Sequence, residues 1–228
     1  MSENELTVIG LYQVRRGSED RVTELVGGHW PLLHKHGLVT DTPARIYRGE
    51  WGNGQFVLEI ATWQGDEALH SAFSIPEIAG LWQEVKEHTE DRNGRDGVEY
   101  PAVVPLTDFE SVTEHRHPEP VATGVAIHQI RPDRVDEMRE LLPHEWHQLR
   151  AEGFVPEHRP QAYLGQDRHG PFSISIVDWY EASGPQRAFM NDAINRVWRD
   201  VQAYTVGRAG RPASEYLWAE EITDHVTG

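Results

Sequence analysis

The segments Gln55–Trp63 (QFVLEIATW) and Pro171–Trp179 (PFSISIVDW) lie 116 residues apart and decide the fold. They share an aromatic, an isoleucine and a tryptophan at equivalent positions. The same ungapped offset pairs further residues along both halves of the chain: Trp30 with Trp146, Tyr47 with Tyr163, Phe73 with Phe189, Trp82 with Trp198, and Tyr100 with Tyr216. A fixed internal offset indicates that one supersecondary unit has been copied. The sequence therefore predicts two related small domains.

Composition excludes several classes of protein. The chain has 228 residues, 38% of them hydrophobic, a formal net charge of −16 and no cysteine. Nucleic acids bind mainly through basic residues, so the negative charge disfavours them, and it disfavours anionic membranes for the same reason. The absence of cysteine excludes disulfides and thiolate chemistry. No apolar run predicts a membrane span, and the first residues carry no export signal, so we expect a cytoplasmic protein.

Hydrophobic periodicity predicts the order β-α-β-β-α-β in each copy. The predicted strands of the first copy are Leu6–Val14, Arg45–Trp51, Gln55–Trp63 and Val98–Leu106, and those of the second are Val121–Ile130, Gln161–Gln166, Pro171–Trp179 and Ser214–Ile222. The first helix of each copy should begin after Ser18 or Asp133 and end at Gly37 or Gly153. Pro31 and Pro143 predict that these helices are kinked or split.

The predicted fold class is therefore α+β, built from two tandem ferredoxin-like βαββαβ units. Residues 1–106 form the first predicted domain, 107–119 a linker, and 120–228 the second domain.

Strand alternation suggests which side chains could do chemistry. We expect the more apolar face of the strands to lie under the helices, and the alternate residues to line a partly polar cavity. The residues of this apolar face are Ile9, Leu11, Phe56, Leu58 and Ile60 in the first copy, and Phe172, Ile174 and Ile176 in the second. In the first copy these alternate residues include Glu59 and Trp63, and in the second Ser173, Ser175 and Trp179. The same reasoning places further residues on the cavity side: Tyr12, Arg45 and Tyr47 in the first copy, and His128, Gln161 and Tyr163 in the second.

Three stretches of the first copy carry a resemblance to a known family. They are Leu6–Ile9, the strand-to-helix junction Glu59–Leu69, and the run Ser74–Glu77. In these the chain resembles the dimeric α+β barrel superfamily, and within it the antibiotic-biosynthesis monooxygenase type. The second copy keeps Trp179 and Phe189 but lacks the proline of Ser74–Glu77.

The resemblance implies two ferredoxin-like units joined through their sheets, here within one chain. It also implies oxygen insertion into polycyclic phenols without metal or flavin, or polyketide cyclisation or haem degradation, or a stress protein without chemistry. The family's late-strand tryptophan falls on Trp63 and Trp179. The histidine that many members carry in the next helix falls on Ala72 and Ala188, which disfavours haem degradation.

Five residues are candidates for catalysis. Trp63 and Trp179 could orient a flat substrate, although a repeated aromatic residue also packs a sheet well. His128 is the predicted general base, because imidazole titrates near neutrality, although a lone strand histidine is more often structural. Tyr12 is its counterpart in the first copy. Glu59 could be a base instead if burial raises its pKa.

Two arginines are candidates for holding an anionic substrate group. Arg95 and Arg211 recur before the last strand of each copy, where they could bind a carboxylate or phenolate or could simply stabilise a loop. The helix sequence His144-Glu145-Trp146-His147 suggests a metal site, but we expect its histidines to face solvent and predict no metal. We likewise expect His29 to belong to a solvated helix end.

The leading functional hypothesis is a cofactor-independent monooxygenase that acts on a polycyclic, polyketide-like phenol. Its expected partners are a small aromatic substrate and dioxygen, with no nucleic acid or membrane and with a possible homodimer of tandem chains. The alternatives are a polyketide cyclase or dehydratase with the same cavity, and a non-catalytic aromatic-binding or stress protein. The sequence does not separate a barrel closed within one chain from one closed between chains.

Overall fold

The computed structural model describes residues 5–52, 54–107, 109, 121–158 and 160–223. The chain forms two compact units, which we call unit 1 (1–104 with 220–228) and unit 2 (105–219). Except for Thr107 and Phe109, the predicted linker lies outside the described residues. The protein is of the α+β class, with helices and antiparallel strands in both units.

Unit 1 is an antiparallel sheet with three helices. Its elements are β1 (Leu6–Gln13), α1 (Glu19–Lys35), β2 (Arg45–Trp51), β3 (Gly54–Trp63), α2 (Asp66–Ala72), α3 (Pro76–Glu87), β4 (Val98–Glu99) and β5 (Ala102–Pro105). Strand β3 pairs with both β2 and β1, and β1 pairs on its other side with β4 and β5. The sheet of this unit therefore has the order β2-β3-β1-β4/β5.

Unit 2 repeats this arrangement. Its elements are β6 (Ala122–Gln129), a short 3-10 turn (Pro132–Arg134), α4 (Val135–Ala151), β7 (Gln161–Asp167), β8 (Gly170–Trp179), α5 (Gly184–Phe189), α6 (Asp192–Tyr204) and β9 (Ser214–Glu221), whose last two residues fall in unit 1. Strand β8 pairs with β7 and β6, and β6 pairs with β9. The order β7-β8-β6-β9 is equivalent to that of unit 1.

Local details differ from the sequence prediction. Helices α1 and α4 run unbroken past Pro31 and Pro143, so neither helix is split. Helix α4 does not begin directly after Asp133 as predicted. Asp133 belongs to the 3-10 turn, and the residue before α4 is Arg134. Both helices do end at a glycine with positive φ, Gly37 at 67° and Gly153 at 74°, a backbone conformation that favours residues without a Cβ.

The second helical region of each unit is two helices. In unit 1 Pro76 begins α3, and in unit 2 the side chain of Asn191 caps α6 by accepting from the amides of Ala193 and Ile194. The last strand of unit 1 is broken between Glu99 and Ala102, where Pro101 has no amide hydrogen for the ladder. Its equivalent in unit 2 is continuous.

The face of the sheet that meets the helices is the opposite of the one predicted. In unit 1, Val57 and Tyr12 pack in one cluster with Val22 and Val26 of α1. In unit 2, Trp179 and Ala162 pack with Leu142 of α4. The strand residues predicted to lie under the helices, Ile9, Leu11, Phe56, Leu58, Ile60, Phe172, Ile174 and Ile176, are buried on the other face.

Both faces of these strands are buried, so the more apolar face need not be the one that meets the helices. Periodicity shows which residues share a face but not which neighbour covers it. One consequence is that the polar strand residues of the predicted cavity wall lie directly beneath the helices. Within the described part of the chain, no helix is both long and apolar enough to span a membrane.

Candidate functional site

Unit 2 contains a cavity of about 730 Å³ between its sheet and its helices. This volume is in the usual range for small-molecule sites. Aromatic side chains dominate its wall: Phe109, Trp146, Trp179, Phe189, Trp198, Tyr216 and Trp218. The polar side chains in the wall are few, namely Glu145, Ser175, Gln186 and Gln202, with the hydroxyl of Tyr216. A largely aromatic wall with few polar groups suits a flat, mostly apolar ligand.

Small residues on the strands of unit 2 open this space. Gly124 on β6, Ala162 on β7 and Ser175 on β8 all line the cavity. Residues equivalent by the offset of 116 in unit 1 are larger, namely Val8, Ile46 and Glu59, and all three are buried. Since protein interiors are close-packed, smaller side chains at three neighbouring strand positions leave room that the larger ones fill.

The most unusual polar group in the cavity wall is Glu145 of α4. Its Oε1 accepts a hydrogen bond of 2.6 Å from the indole Nε1 of Trp198. Burial raises the pKa of Glu145 to about 7, and the hydrogen bond from Trp198 acts in the opposite direction. A carboxyl with a pKa near neutrality can both take and return a proton, which is what a general base requires.

The indole of Trp179 is held in a narrow slot at one side of the cavity. A Cβ added to Gly124 would lie 2.9 Å from its Nε1, and one added to Gly184 would lie 2.6 Å from its Cε3. Both distances are too short for real contacts, so the absence of side chains at the two glycines lets the ring lie where it does. The position of this aromatic wall is therefore fixed by the strand and by the start of α5.

Unit 1 has a hydrogen-bonded polar cluster at the equivalent place. Glu59 Oε2 accepts from the hydroxyl of Tyr12 at 2.8 Å and lies 2.7 Å from His29 Nδ1. The indole of Trp82 donates to His29 Nε2 at 2.9 Å, which completes a chain of four side chains. Burial, with the charge of Glu59, raises the pKa of Tyr12 well above its usual value. This chain links four elements of unit 1, β1, α1, β3 and α3, through polar contacts.

The predicted site residues of unit 2 do not all meet in the cavity. Ser175 and Trp179 line it. His128 and Ser173 share their face of the sheet but are not among the described residues of the wall. Tyr163 pairs with Ile174 and Gln161 with Ile176, so both lie on the opposite face.

His128 is poorly suited to the predicted role of general base. It is 1% exposed, and its Nδ1 is 2.9 Å from the hydroxyl of Ser214. Burial lowers the pKa of His128 to about 4, so its ring is neutral and weakly basic near pH 7. These properties are those of a structural histidine on a buried strand.

Unit 1 brings two of its predicted residues together. Tyr12 and Glu59 are hydrogen-bonded, whereas Trp63 packs in an apolar cluster with Leu33 and Ala72. Tyr47 and Arg45 pair with Leu58 and Ile60 and so lie on the opposite face from Glu59. The guanidinium of Arg45 forms an ion pair with Glu221 at the surface, at 2.6 Å. The prediction that Arg45 and Tyr47 share a cavity with Glu59 was therefore wrong.

The repeated arginines hold loops in both units. Arg95 bonds Glu99 at 2.9 Å, and Arg211 bonds Asp167 at 2.5 Å. Neither arginine is among the described residues that line the cavity of unit 2. Their neighbours Arg92 and Arg208 donate to backbone carbonyls at the ends of two strands each. These contacts favour the structural interpretation of the motif.

Two residues of the site were missed from the sequence, His29 and Glu145. They are equivalent by the offset of 116, and each accepts from an equivalent tryptophan. His29 is 3% exposed, so the prediction of a solvated helix end was wrong for this residue. The signal was present, because Glu145 follows Leu142 by three residues and precedes Leu149 by four, which places it beside the buried stripe of α4.

Among the described residues, no three His, Asp or Glu side chains are grouped so that they could hold a metal ion.

Comparison with known proteins gives structural matches only. No family profile matches the sequence, and no curated protein matches it. The fold is similar to that of an anthrone oxidase-like protein, with a TM-score of 0.68 at 14% identity over 97% of this chain and 92% of that one. It is also similar to a Fusobacterium nucleatum protein provisionally named a monooxygenase, with a TM-score of 0.60 at 7% identity over 97% and 94%.

A third similar structure, from Lactobacillus acidophilus, is also provisionally named a monooxygenase, with a TM-score of 0.56 at 7% identity over 96% and 94%. At these identities the likeness shows a shared fold and leaves the reaction open.

Proposed function

We propose that unit 2 binds a polycyclic phenol and oxidises it to a quinone with dioxygen, without a metal or flavin. The observation that carries the proposal is the aromatic cavity of about 730 Å³ in which one carboxyl, that of Glu145, has a pKa of about 7. The names of the structurally similar proteins, two monooxygenases and an anthrone oxidase-like protein, agree with this chemistry. The fold by itself would not distinguish it from other reactions.

The chain in this proposal is a tandem pair of ferredoxin-like repeats of the dimeric α+β barrel type. Domain boundaries near residues 106 and 120 are part of the same proposal. Support comes from the equivalent strand orders of the two units and from the constant offset between equivalent residues. Only unit 2 is proposed to be active.

The proposed reaction begins with a proton transfer. The carboxylate of Glu145 takes the proton of the phenol, which leaves an electron-rich phenolate among the aromatic side chains. The phenolate passes one electron to dioxygen, and the resulting phenoxyl radical and superoxide combine at the ring carbon opposite the oxygen. A cavity with few polar groups excludes water, which would otherwise stabilise the separated phenolate and superoxide.

The second half of the reaction releases water. The new peroxide takes the proton from Glu145 and becomes a hydroperoxide, which restores the carboxylate. The same ring carbon then loses its hydrogen as a proton while the O–O bond breaks, giving a carbonyl group, and the hydroxide released combines with that proton. Overall, the phenol O–H, one aromatic C–H and one dioxygen become two C=O groups and one water. The ring loses four electrons and dioxygen gains four.

The test is oxygen uptake and quinone formation with a model anthrone, whose anthrol tautomer is a phenol of this class. We expect wild-type turnover and a fall in kcat of about 100-fold or more in Glu145→Gln, since removing a general base has effects of this size. Glu140→Gln is the matched control, because Glu140 is exposed on the same helix. Ring closure without oxygen uptake would favour a cyclase, and binding without turnover would favour a binding protein.

A further inference from the structure

In the polar cluster of unit 1, two side chains hold one carboxylate oxygen of Glu59. There the carboxylate of Glu59 lies within hydrogen-bond distance of two side chains, 2.8 Å from the hydroxyl of Tyr12 and 2.7 Å from the ring of His29. The residues equivalent by the offset of 116 in unit 2 are Ser175, His128 and Glu145. The positions of Glu59 and His29 thus correspond to two residues that line the cavity of unit 2.

Ser175 is too short to make the contacts of Glu59. It is 8% exposed, it lines the cavity, and its Oγ has no hydrogen-bond partner among the described residues. A buried hydroxyl without a partner costs free energy that a suitable ligand atom would recover. The side chain across the cavity in the equivalent position to His29 is Glu145, which holds Trp198 through Oε1. Its second oxygen remains for a ligand.

The charge of the cavity wall limits the ligand. Among the described residues that line the cavity, none is Lys, Arg or His, and Glu145 is the one carboxylate. A carboxylate ligand would approach this acidic group in an apolar environment without a compensating cation, which is strongly unfavourable. A hydroxyl group can instead donate to Glu145 and accept from Ser175 at the same time.

We propose that Ser175 and Glu145 together hold the hydroxyl oxygen of the aromatic ligand, at the place that the Glu59 carboxylate occupies in unit 1, and that the cavity thereby selects neutral phenols over aromatic carboxylates. The inference rests on the proposed function for the identity of the ligand class. In that reaction Ser175 donates to the substrate oxygen while Glu145 removes its proton. Ser175 is then the residue that keeps this oxygen in place as it becomes first a phenolate and then a carbonyl.

The experiment measures binding under argon, so that no turnover occurs. Equilibrium dialysis at pH 8 compares three probes with one ring system, namely 1-naphthol, 1-naphthoate and naphthalene. In the wild type we expect naphthol to bind at least about tenfold more tightly than naphthoate. Naphthoate cannot donate to Glu145 and carries the same charge as this side chain, and either effect can lower affinity by about this factor. In Ser175→Ala the Kd for naphthol should rise about threefold to tenfold, with the Kd for naphthalene unchanged.

Ser173→Ala is the matched control. Ser173 is buried on the same strand and face, and its Oγ also has no partner among the described residues. It is not among the described residues that line the cavity. Its Kd for naphthol should equal that of the wild type. Chemical-denaturant unfolding of all three proteins establishes that each variant is folded.

Two results would overturn the inference: an unchanged Kd for naphthol in Ser175→Ala, or naphthoate bound as tightly as naphthol. If either is found while anthrone is still oxidised in air, the inference fails and the proposed function stands. If Ser175 sets the affinity for naphthol but no substrate consumes oxygen, the proposed function fails and the binding site stands.

Discussion

Units 1 and 2 have the same order of strands and helices but differ where the sheet meets α1 or α4. Side chains fill this place in unit 1, and a cavity lies there in unit 2. In unit 1, Tyr12, His29 and Glu59 form a buried chain of hydrogen bonds with Trp82. In unit 2 the same place is a cavity of about 730 Å³ with Glu145 and Ser175 in its wall. The difference follows from a few side chains on strands whose pairing is unchanged.

The comparison teaches how two units with the same order of elements can differ in their balance of stability and binding. In unit 1 the side chains of Tyr12, His29 and Glu59 bond to one another, and of the Glu59 carboxyl only Oε1 has no partner among the described residues. Unit 2 leaves a hydroxyl without a partner and buries a carboxyl whose pKa is raised to about 7, and both features are unfavourable for folding. Such features are expected where a ligand, absent during folding, completes the contacts.

The largest expected effect comes from giving unit 2 the polar pair of unit 1. The double variant Ser175→Glu with Glu145→His should place a carboxylate and an imidazole in contact across the cavity, as Glu59 and His29 are in unit 1. We expect the pair to fill the space and to reduce anthrone turnover and naphthol binding by at least about 100-fold, because both the base and the room for the ligand are lost. Oxygen uptake and equilibrium dialysis measure the two effects.

Each single variant is the control for this exchange. Glu145→His alone should also lose turnover but should retain some binding of naphthalene, since Ser175 still leaves the cavity open. A double variant that binds naphthol like the wild type would show that the two regions are not equivalent in the way proposed.

The next largest effect concerns the stability of unit 1. Glu59→Ala should lower the free energy of unfolding by about 3 kcal/mol or more, because it leaves the buried Tyr12 and His29 without their shared acceptor. Urea unfolding followed by circular dichroism measures the loss. The exposed Glu77, which pairs with Lys35 at the surface, is the control, and Glu77→Ala should cost less than about 1 kcal/mol.

Ser175→Ala offers the contrast in unit 2. Its hydroxyl has no partner to lose among the described residues, so the free energy of unfolding should change by less than about 1 kcal/mol. Equal losses for Glu59→Ala and Ser175→Ala would contradict the difference drawn between the two units.

A smaller expected effect than that of Glu59→Ala is a pH dependence of stability that arises in unit 2. Glu145 loses its proton near its usual pKa of 4.5 when unfolded but near 7 when folded, so the free energy of unfolding should fall as pH rises through this window. The full shift corresponds to at most about 3 kcal/mol, reduced by any water in the cavity. Glu145→Gln should remove this fall, as measured by urea unfolding between pH 4.5 and 8.

His128 should give a pH dependence of the free energy of unfolding with the opposite sign. Its pKa is about 4 when folded and 6.5 when unfolded, so the free energy of unfolding should fall as pH drops through that range. The upper limit is again about 3 kcal/mol. His128→Gln should make the free energy of unfolding fall less as pH drops from 6.5 to 4. If it falls as much in this variant as in the wild type, the assignment of a neutral, buried ring is contradicted.

The sequence predicted the architecture of both units well because its signals are local. The turns, the ends of α1 and α4 at Gly37 and Gly153, and the strands around Trp63 and Trp179 can all be read from nearby residues. Which face of the sheet is covered by the helices could not be predicted in this way. Strands buried on both sides, such as β3 with Phe56 and Val57 both fully buried, show alternation without telling which layer covers which side.

The candidate site was predicted in part for a related reason. Strand alternation predicts Glu59 on one face with Trp63 in the first copy, and Ser175 on one face with Trp179 in the second. Glu145 and His29 were missed because each was interpreted with its polar neighbours in sequence and not with the apolar residues three and four positions away. The pKa of Glu145 is raised by burial and lowered by a hydrogen bond from Trp198, which is distant in sequence, so no local pattern contains it.

The slot that holds Trp179 has a consequence for anyone who wishes to reshape the cavity for other ligands. A single methyl group at Gly124 or Gly184 would collide with the indole, so this wall tolerates almost no redesign. Met190 is a more permissive position, because it is 81% exposed and lines the cavity with a flexible, unbranched side chain. Engineering for wider or narrower ring systems should therefore begin at Met190 and leave both glycines untouched.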